Sequence, residues 1–243
     1  MKNKSLSLIT LIISTLALGS SLRAGAPSAA DVGEAESFGH AALYMGAMSG
    51  GFHWSPNPCG GPPPAPGDTE QCFELNPAPA QTTATAQDTA RIKLPKKATR
   101  TIIYPAMNFF VTYELENTTG ADQPQGEFFF RSSLDIESDV LLDPSIIDPS
   151  TGLPAGGKLR GLFTYTYRDD RSMRAVDRQR QQMTLVRVGN AGLTKASFVA
   201  AGLTQAQADS LFASAITVHL NFETRARLLN SATVTGNVRL FGD

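Results

Sequence analysis

From Arg91 onward the chain alternates apolar and polar residues, the mark of strands with one buried and one wet face. In "MNFFVTYELEN", Met107, Phe109, Val111, Tyr113 and Leu115 fall on one face. Asn108, Thr112, Glu114 and Glu116 fall on the other, with Phe110 the exception. In "KLRGLFTYTYR", Leu159, Phe163, Tyr165 and Tyr167 oppose Lys158, Arg160, Thr164, Thr166 and Arg168. In "AITVHLNFETR", Ile216, Val218, Leu220 and Phe222 oppose Thr217, His219, Asn221 and Glu223. "GEFFFRSSLDIESDVLLD" keeps one phase from Phe128 to Leu142, long enough to predict a bulge or bend inside it. "RTIIYP", "QQMTLVRVG" and "ATVTGNVRLFG" supply further strands. One-sided alternation predicts antiparallel sheets. Many such runs separated by turn signals predict a mainly β protein, an antiparallel β-sandwich.

One passage departs from this period. In "GLTKASFVAAGLTQAQADSLFASA", Thr204 with Gln207 forms a capping box ahead of Ala206, Ala208, Leu211 and Phe212 at helical spacing. Thr194 caps a shorter helix ending near Gly202. The expectation is a two-helix insertion over about residues 194–213, a lid on one end of the sandwich in preference to a binding helix. A membrane β-barrel has the same alternation. The helical insertion, the proline-rich N-terminal third and the closing "NVRLFGD" fit it poorly, so the soluble sandwich is preferred.

The first residues change the picture by adding an address. Lys2 and Lys4 precede a short apolar run, Leu6 to Leu18, followed by small residues. A membrane span needs about 20 residues, so this is expected to be a secretory signal peptide within residues 1–30, cut after Ala24 or Ala30. No cysteine adjoins the apolar run, so the protein is not expected to be a lipoprotein. Secreted or periplasmic localisation follows, with no transmembrane segment after signal removal. Residues 31–90 form a Gly/Pro-rich segment belonging to the same domain, in which "NPAPAQTTATAQDTA" (76–90) is expected to be an extended connector. Residues 91–243 are the expected sandwich core. The formal net charge of −1 offers no global field for nucleic acid or an anionic membrane.

The candidate chemistry centres on "GFHWSPNPCGGPPPAPGDTEQCFEL". It holds both cysteines, Cys59 and Cys72, the single tryptophan Trp54, and His53. Three zinc ligands, His53, Cys59 and Cys72, are one reading, but the spacing is not a zinc pattern. In an oxidising compartment a Cys59–Cys72 disulfide is preferred, closing a loop of about 14 residues for roughly 3 kcal/mol. Trp54 then packs under the loop, or with His53 offers a ligand surface.

Other constellations carry less. Asp135, Glu137 and Asp139 share a strand face, which could bind calcium with help from a neighbouring loop but is expected to be the solvated face of an amphipathic strand. "RDDRSMRAVDRQRQ" is expected to be an exposed hairpin connection whose arginines pair with that acidic strand. Ser49 in "GAMSG" misses the nucleophile elbow. Asn117 heads a glycosylation sequon, expected to be silent. No cofactor is expected, and neither is a catalytic residue.

Taken together, "DVGEAESFG", "LNPAPAQTTATAQDTARIKLPKKAT", "DPSTGLP" and "VRLFGD" give the chain a resemblance to a family of secreted bacterial proteins with no assigned function. That resemblance implies an exported single-domain protein and adds no substrate. The functional expectation is a non-catalytic envelope or extracellular binding module, and an enzyme is less favoured. Two alternatives stand: a structural subunit that self-associates by strand addition through Asp31 to Met48, and a secreted hydrolase using converging carboxylates or His219.

Overall fold

A computed structural model describes residues 43–188 and 192–243; the signal peptide expected within residues 1–30, and residues 31–42, lie outside them. Strands β1 (Leu43–Ser55), β2 (Glu70–Glu74), β3 (Thr82–Leu94), β4 (Ile102–Glu116) and β5 (Gln123–Glu137) come first. A 3-10 turn, Asp139–Leu142, and a small hairpin of β6 (Ile147–Asp148) and β7 (Leu153–Pro154) follow. Then come β8 (Lys158–Met173), β9 (Arg178–Val188), β10 (Leu193–Thr194), helices α1 (Lys195–Ala200) and α2 (Gln205–Ala213), β11 (Ile216–Arg227) and β12 (Leu229–Gly242).

The strands build an antiparallel sandwich. One sheet runs β10–β4–β12–β1–β2, with β9 also on β4, and the other runs β3–β11–β5–β8. The β1–β2 pair is parallel. Inward residues of both sheets form one core, in which Phe109 meets Phe130 and Phe222 edge-on and stacks with Tyr165. The alternation read in β4 and β11 is the alternation of burial along them. Phe110, the exception in β4, is about half exposed on the outer face. In β5 the long single phase ends at Glu137, where the chain bends into the 3-10 turn, and its ladder with β8 is bulged.

The core starts far earlier than residue 91. β1 pairs with β12 from Leu43 to Trp54, and β3 pairs with β11 from Thr82. Residues 82–90 are therefore sheet and not connector. Their small side chains serve packing: Ala86 and Ala90 are buried where β1 crosses β3. At Gly50 an added Cβ would lie 2.1 Å from the Thr89 carbonyl oxygen, so only glycine fits that crossing.

The insertion forms as expected. The Thr194 hydroxyl accepts from the Ser197 N–H, the Thr204 hydroxyl accepts from the Gln207 N–H, and Ser197 and Gln207 reciprocate. Phe198, Leu203, Leu211 and Phe212 are buried, with Phe198 edge-on to Phe212. The Lys195 N–H donates to the Thr101 carbonyl, and Ser138 Oγ donates to the Ala215 carbonyl. These bonds seat the helices across the end of the sandwich where β4 and β11 begin.

Asp243 ties the same end. Its carboxylate accepts from the Thr99 and Thr101 hydroxyls and from the backbone N–H groups of Arg100 and Thr101. Burial alone would raise its pKa, but these donors outweigh it and hold the carboxyl well below the usual aspartate range. A depressed folded pKa gives stability that is complete above the unfolded value of about 3.9 and is lost as pH falls below it. Asp243→Asn is expected to cost about 1–2 kcal/mol at neutral pH and to flatten the acid limb below about pH 4. Urea unfolding across a pH series checks both. An acid limb unchanged in the variant overturns the assignment.

The arginine-rich hairpin joins β8 to β9 through a tight turn at 174–177. Its arginines do not reach the acidic row of β5. Arg168 pairs with Asp170 and Glu127, Arg171 with Asp169, and Arg178 with Glu114. The register explains this, because β8 lies beside the Glu127 half of β5 at the arginine positions.

Candidate functional site

The residues expected to present a surface at the cysteine loop divide. Cys59 and Cys72 form a disulfide with Cα atoms 5.9 Å apart. Trp54 is 2 % exposed, its Nε1 donating to Thr224 Oγ1 at 3.0 Å and its ring packed on Phe73. It belongs to the inward face of β1 with Met48 and Phe52, so it offers no ring face to a ligand. His53, on the opposite face, is partly exposed, with Nδ1 3.5 Å from Glu70 Oε1. His53, Cys59 and Cys72 are the one group of three metal-capable side chains among the described residues.

The acidic row does not converge. Asp135 accepts the Gly161 N–H, Glu137 lies 3.5 Å from Lys158 Nζ, and Asp139 has left the strand for the 3-10 turn. Asn117 is buried, and its amide donates to the carbonyls of Ala121, Met173 and Arg174. A sequon held this way is closed to a transferase in the folded chain. Ser49 Oγ donates to the Gly236 carbonyl.

A larger site lies on the outer face of the four-stranded sheet. A groove of about 690 Å³ crosses it, lined by Asp88, Arg131, Asp135, Arg160, Asn221 and Glu223 among others. A hollow of about 490 Å³ adjoins it and shares Lys158 and Arg160. Strand pairing builds the floor as polar rungs: His219 opposite Asp135, Asn221 opposite Ser133, Glu223 opposite Arg131. The rim comes from a bulge in β3, where Gln87, Asp88 and Thr89 together oppose Asn221. Asp88 has φ 54°, in the left-handed region that aspartate tolerates better than most residues.

The bulge is tied on every side. The Asp88 N–H donates to Asn221 Oδ1 at 2.7 Å, and Gln71 Nε2 donates to the Gln87 carbonyl at 2.7 Å. Asp88 Oδ1 meets His219 Nδ1 at 2.7 Å. On the far side of the ring, His219 Nε2 is 3.1 Å from Glu137 Oε2 without hydrogen-bond geometry. His219 is buried between two carboxylates, and no hydroxyl or thiol among the described residues hydrogen-bonds to it.

Electrostatically the groove is balanced. Arg131 pairs with Glu223 at 2.7 Å, Arg160 with Asp148 at 2.8 Å, and Lys158 with Glu137. Beside His219 Nε2, one donor of the groove lining is left over: Asn221 Nδ2 is buried with no partner while its Oδ1 is fixed by the bulge. The groove residues were visible in the sequence only as polar faces of alternating strands. The signal that would have gathered them is the β5–β11 register, which no local pattern carries. Among the described residues no helix is long and apolar enough to cross a membrane. No protein-family model, curated protein or solved structure matches the chain.

Proposed function

We propose that this is an exported, non-catalytic binding module of the envelope or extracellular space, and that its outer β3–β11–β5–β8 face takes a neutral, hydroxyl-rich ligand, a glycan. The observation that carries this reading is the unpartnered Asn221 amide in a groove whose cations are already neutralised. A buried donor without an acceptor is costly, so a ligand whose binding turns Asn221 Nδ2 towards one of its oxygens gains more than one bonded at an exposed site. An anionic polymer would have to displace Glu223, Asp148 and Glu137 from their arginine and lysine partners.

Two features favour binding over hydrolysis. Glu223 sits opposite Arg131, four residues from Asp135, which sets the backbone positions carrying these two carboxyls about 14 Å apart along the sheet. Glycosidic chemistry needs about 5–9.5 Å. Glu137 is nearer to Asp135 but faces Lys158 and His219. The strand-addition alternative loses part of its donor, since Leu43 to Met48 are paired with β12 in their own sheet.

The test is an array of neutral and charged bacterial glycans, followed by calorimetry with the best hit. A neutral oligosaccharide should bind with an affinity that a tenfold rise in salt leaves unchanged, and Asn221→Ala should weaken it about tenfold. Binding only of charged glycans, with a steep salt dependence, would sink the reading. So would no glycan binding by a protein shown to be folded.

A further inference from the structure

We propose that Cys59, Cys72 and His53 form a zinc site when the disulfide is open, so that the cysteine loop alternates between a disulfide and a bound metal ion. This stands independently of the glycan reading, since its three ligands come from β1, β2 and the loop between them and none of them lines the groove.

The parallel β1–β2 ladder sets His53 directly opposite Cys72, with both side chains on one face. Ligand atoms of His53, Cys59 and Cys72 all lie within 4.8 Å of one another. Two thiolates and an imidazole are the donor set that zinc favours, with a fourth position left to solvent. Tetrahedral zinc at about 2.3 Å from each sulfur holds the sulfurs about 3.8 Å apart, against about 2.0 Å in a disulfide. The required movement is therefore under about 2 Å.

The loop leaves room for it. Cys72 is fixed in β2, but Cys59 precedes Gly60 and Gly61, and a Cβ at either would meet nothing within 4 Å. The pocket they line has about 380 Å³. His53 Nδ1 makes no hydrogen bond, and Glu70 stands 3.5 Å from it, placed to orient the ring once the metal fixes the other donors. Zinc with two thiolates is electrically neutral, so closing the pocket over it strands no charge.

The chemistry balances with a thiol or phosphine as reductant. The disulfide takes up two electrons and two protons to give two thiols while the reductant is oxidised. Zinc binding releases both protons, and each thiolate donates an electron pair to the metal. A small-molecule disulfide, as oxidant, takes two electrons from the bound dithiolate and two protons from solvent to become two thiols, which re-forms the protein's sulfur–sulfur bond and expels Zn²⁺.

The experiment uses the full chain, reduced with a phosphine, desalted without oxygen, and titrated with Co²⁺ and then Zn²⁺. The reduced protein should bind one Co²⁺ with thiolate charge-transfer and tetrahedral absorption, and one Zn²⁺ should displace it. The oxidised protein should show neither band. His53→Ala should weaken the reduced site well over tenfold and Glu70→Ala about tenfold. Near-ultraviolet circular dichroism from Trp54, the one tryptophan, reports the fold in each state. Absence of cobalt absorption in the reduced, folded protein overturns the proposal, as does equal affinity in His53→Ala. Loss of the Trp54 signal on reduction overturns it too, because the site needs β1 and β2 in register.

Discussion

Arg225→Ala is expected to cost about 3–4 kcal/mol, whereas Glu127→Ala costs about half as much, although the two residues are partners. Glu127 is 3 % exposed, and its Oε1 accepts from Arg225 Nε and Nη2 at 3.1 and 2.8 Å. Arg168 reaches the same oxygen only at 3.4 Å and is engaged by Asp170. Removing Arg225 therefore leaves a carboxylate out of water with one long contact, the costly half of a broken buried pair. It also removes a guanidinium stacked 4.8 Å over the Phe129 ring, worth about 0.5–1 kcal/mol more. Removing Glu127 instead leaves two arginines that already reach solvent and can turn outward. Urea unfolding at neutral pH reads the difference, and Arg225→Ala should lower Tm by about 10 °C. The pair Arg225→Met with Glu127→Leu should recover most of the loss, since a matched apolar pair strands no charge. Equal costs for the two single alanine variants would show that desolvation of Glu127 does not dominate.

That asymmetry is a property of pairing, and pairing is where sequence reading stops. β4, β5 and β11 were legible because most of their inward residues are large and their outward residues polar, so burial follows the written alternation; in β8, Phe163, Tyr165 and Tyr167 are only partly buried. The helix pair was legible because Thr194 and Thr204 satisfy backbone donors locally. β1 and β3 were not, since the sheets approach too closely there for large residues. Gly50, Ala86 and Ala90 meet that need while giving the segment the composition of a linker. The groove was hidden for a different reason. His219, Asn221 and Glu223 are one strand's polar face, and Arg131, Ser133 and Asp135 are another's; only the register between them makes a floor. Asp88 was hidden further, because a bulge of three residues against one changes which way the chain points.

Trp54 joins these threads, and its replacement is the sharpest separation of core from ligand surface. Trp54→Ala is expected to destabilise by about 3–5 kcal/mol, or about 10–15 °C in Tm, with glycan affinity of the folded fraction unchanged. The indole fills the space between β1 and the Thr224 segment of β11, against Phe73, and collapse is limited because the crossing at Gly50 holds β1 in place. Trp54→Phe should cost only about 1–2 kcal/mol. It keeps an aromatic body there, and the Thr224 hydroxyl still donates to the Phe129 carbonyl at 2.9 Å, so no donor is stranded. Calorimetric unfolding of both variants gives the stability, and titration at a temperature where each is folded gives the binding. A loss of affinity without a loss of stability would return Trp54 to the surface and move the binding site to the cysteine loop. A loss of stability with intact affinity assigns the indole to the core that carries the two sheets, and leaves recognition to the polar rungs on the far face of β11.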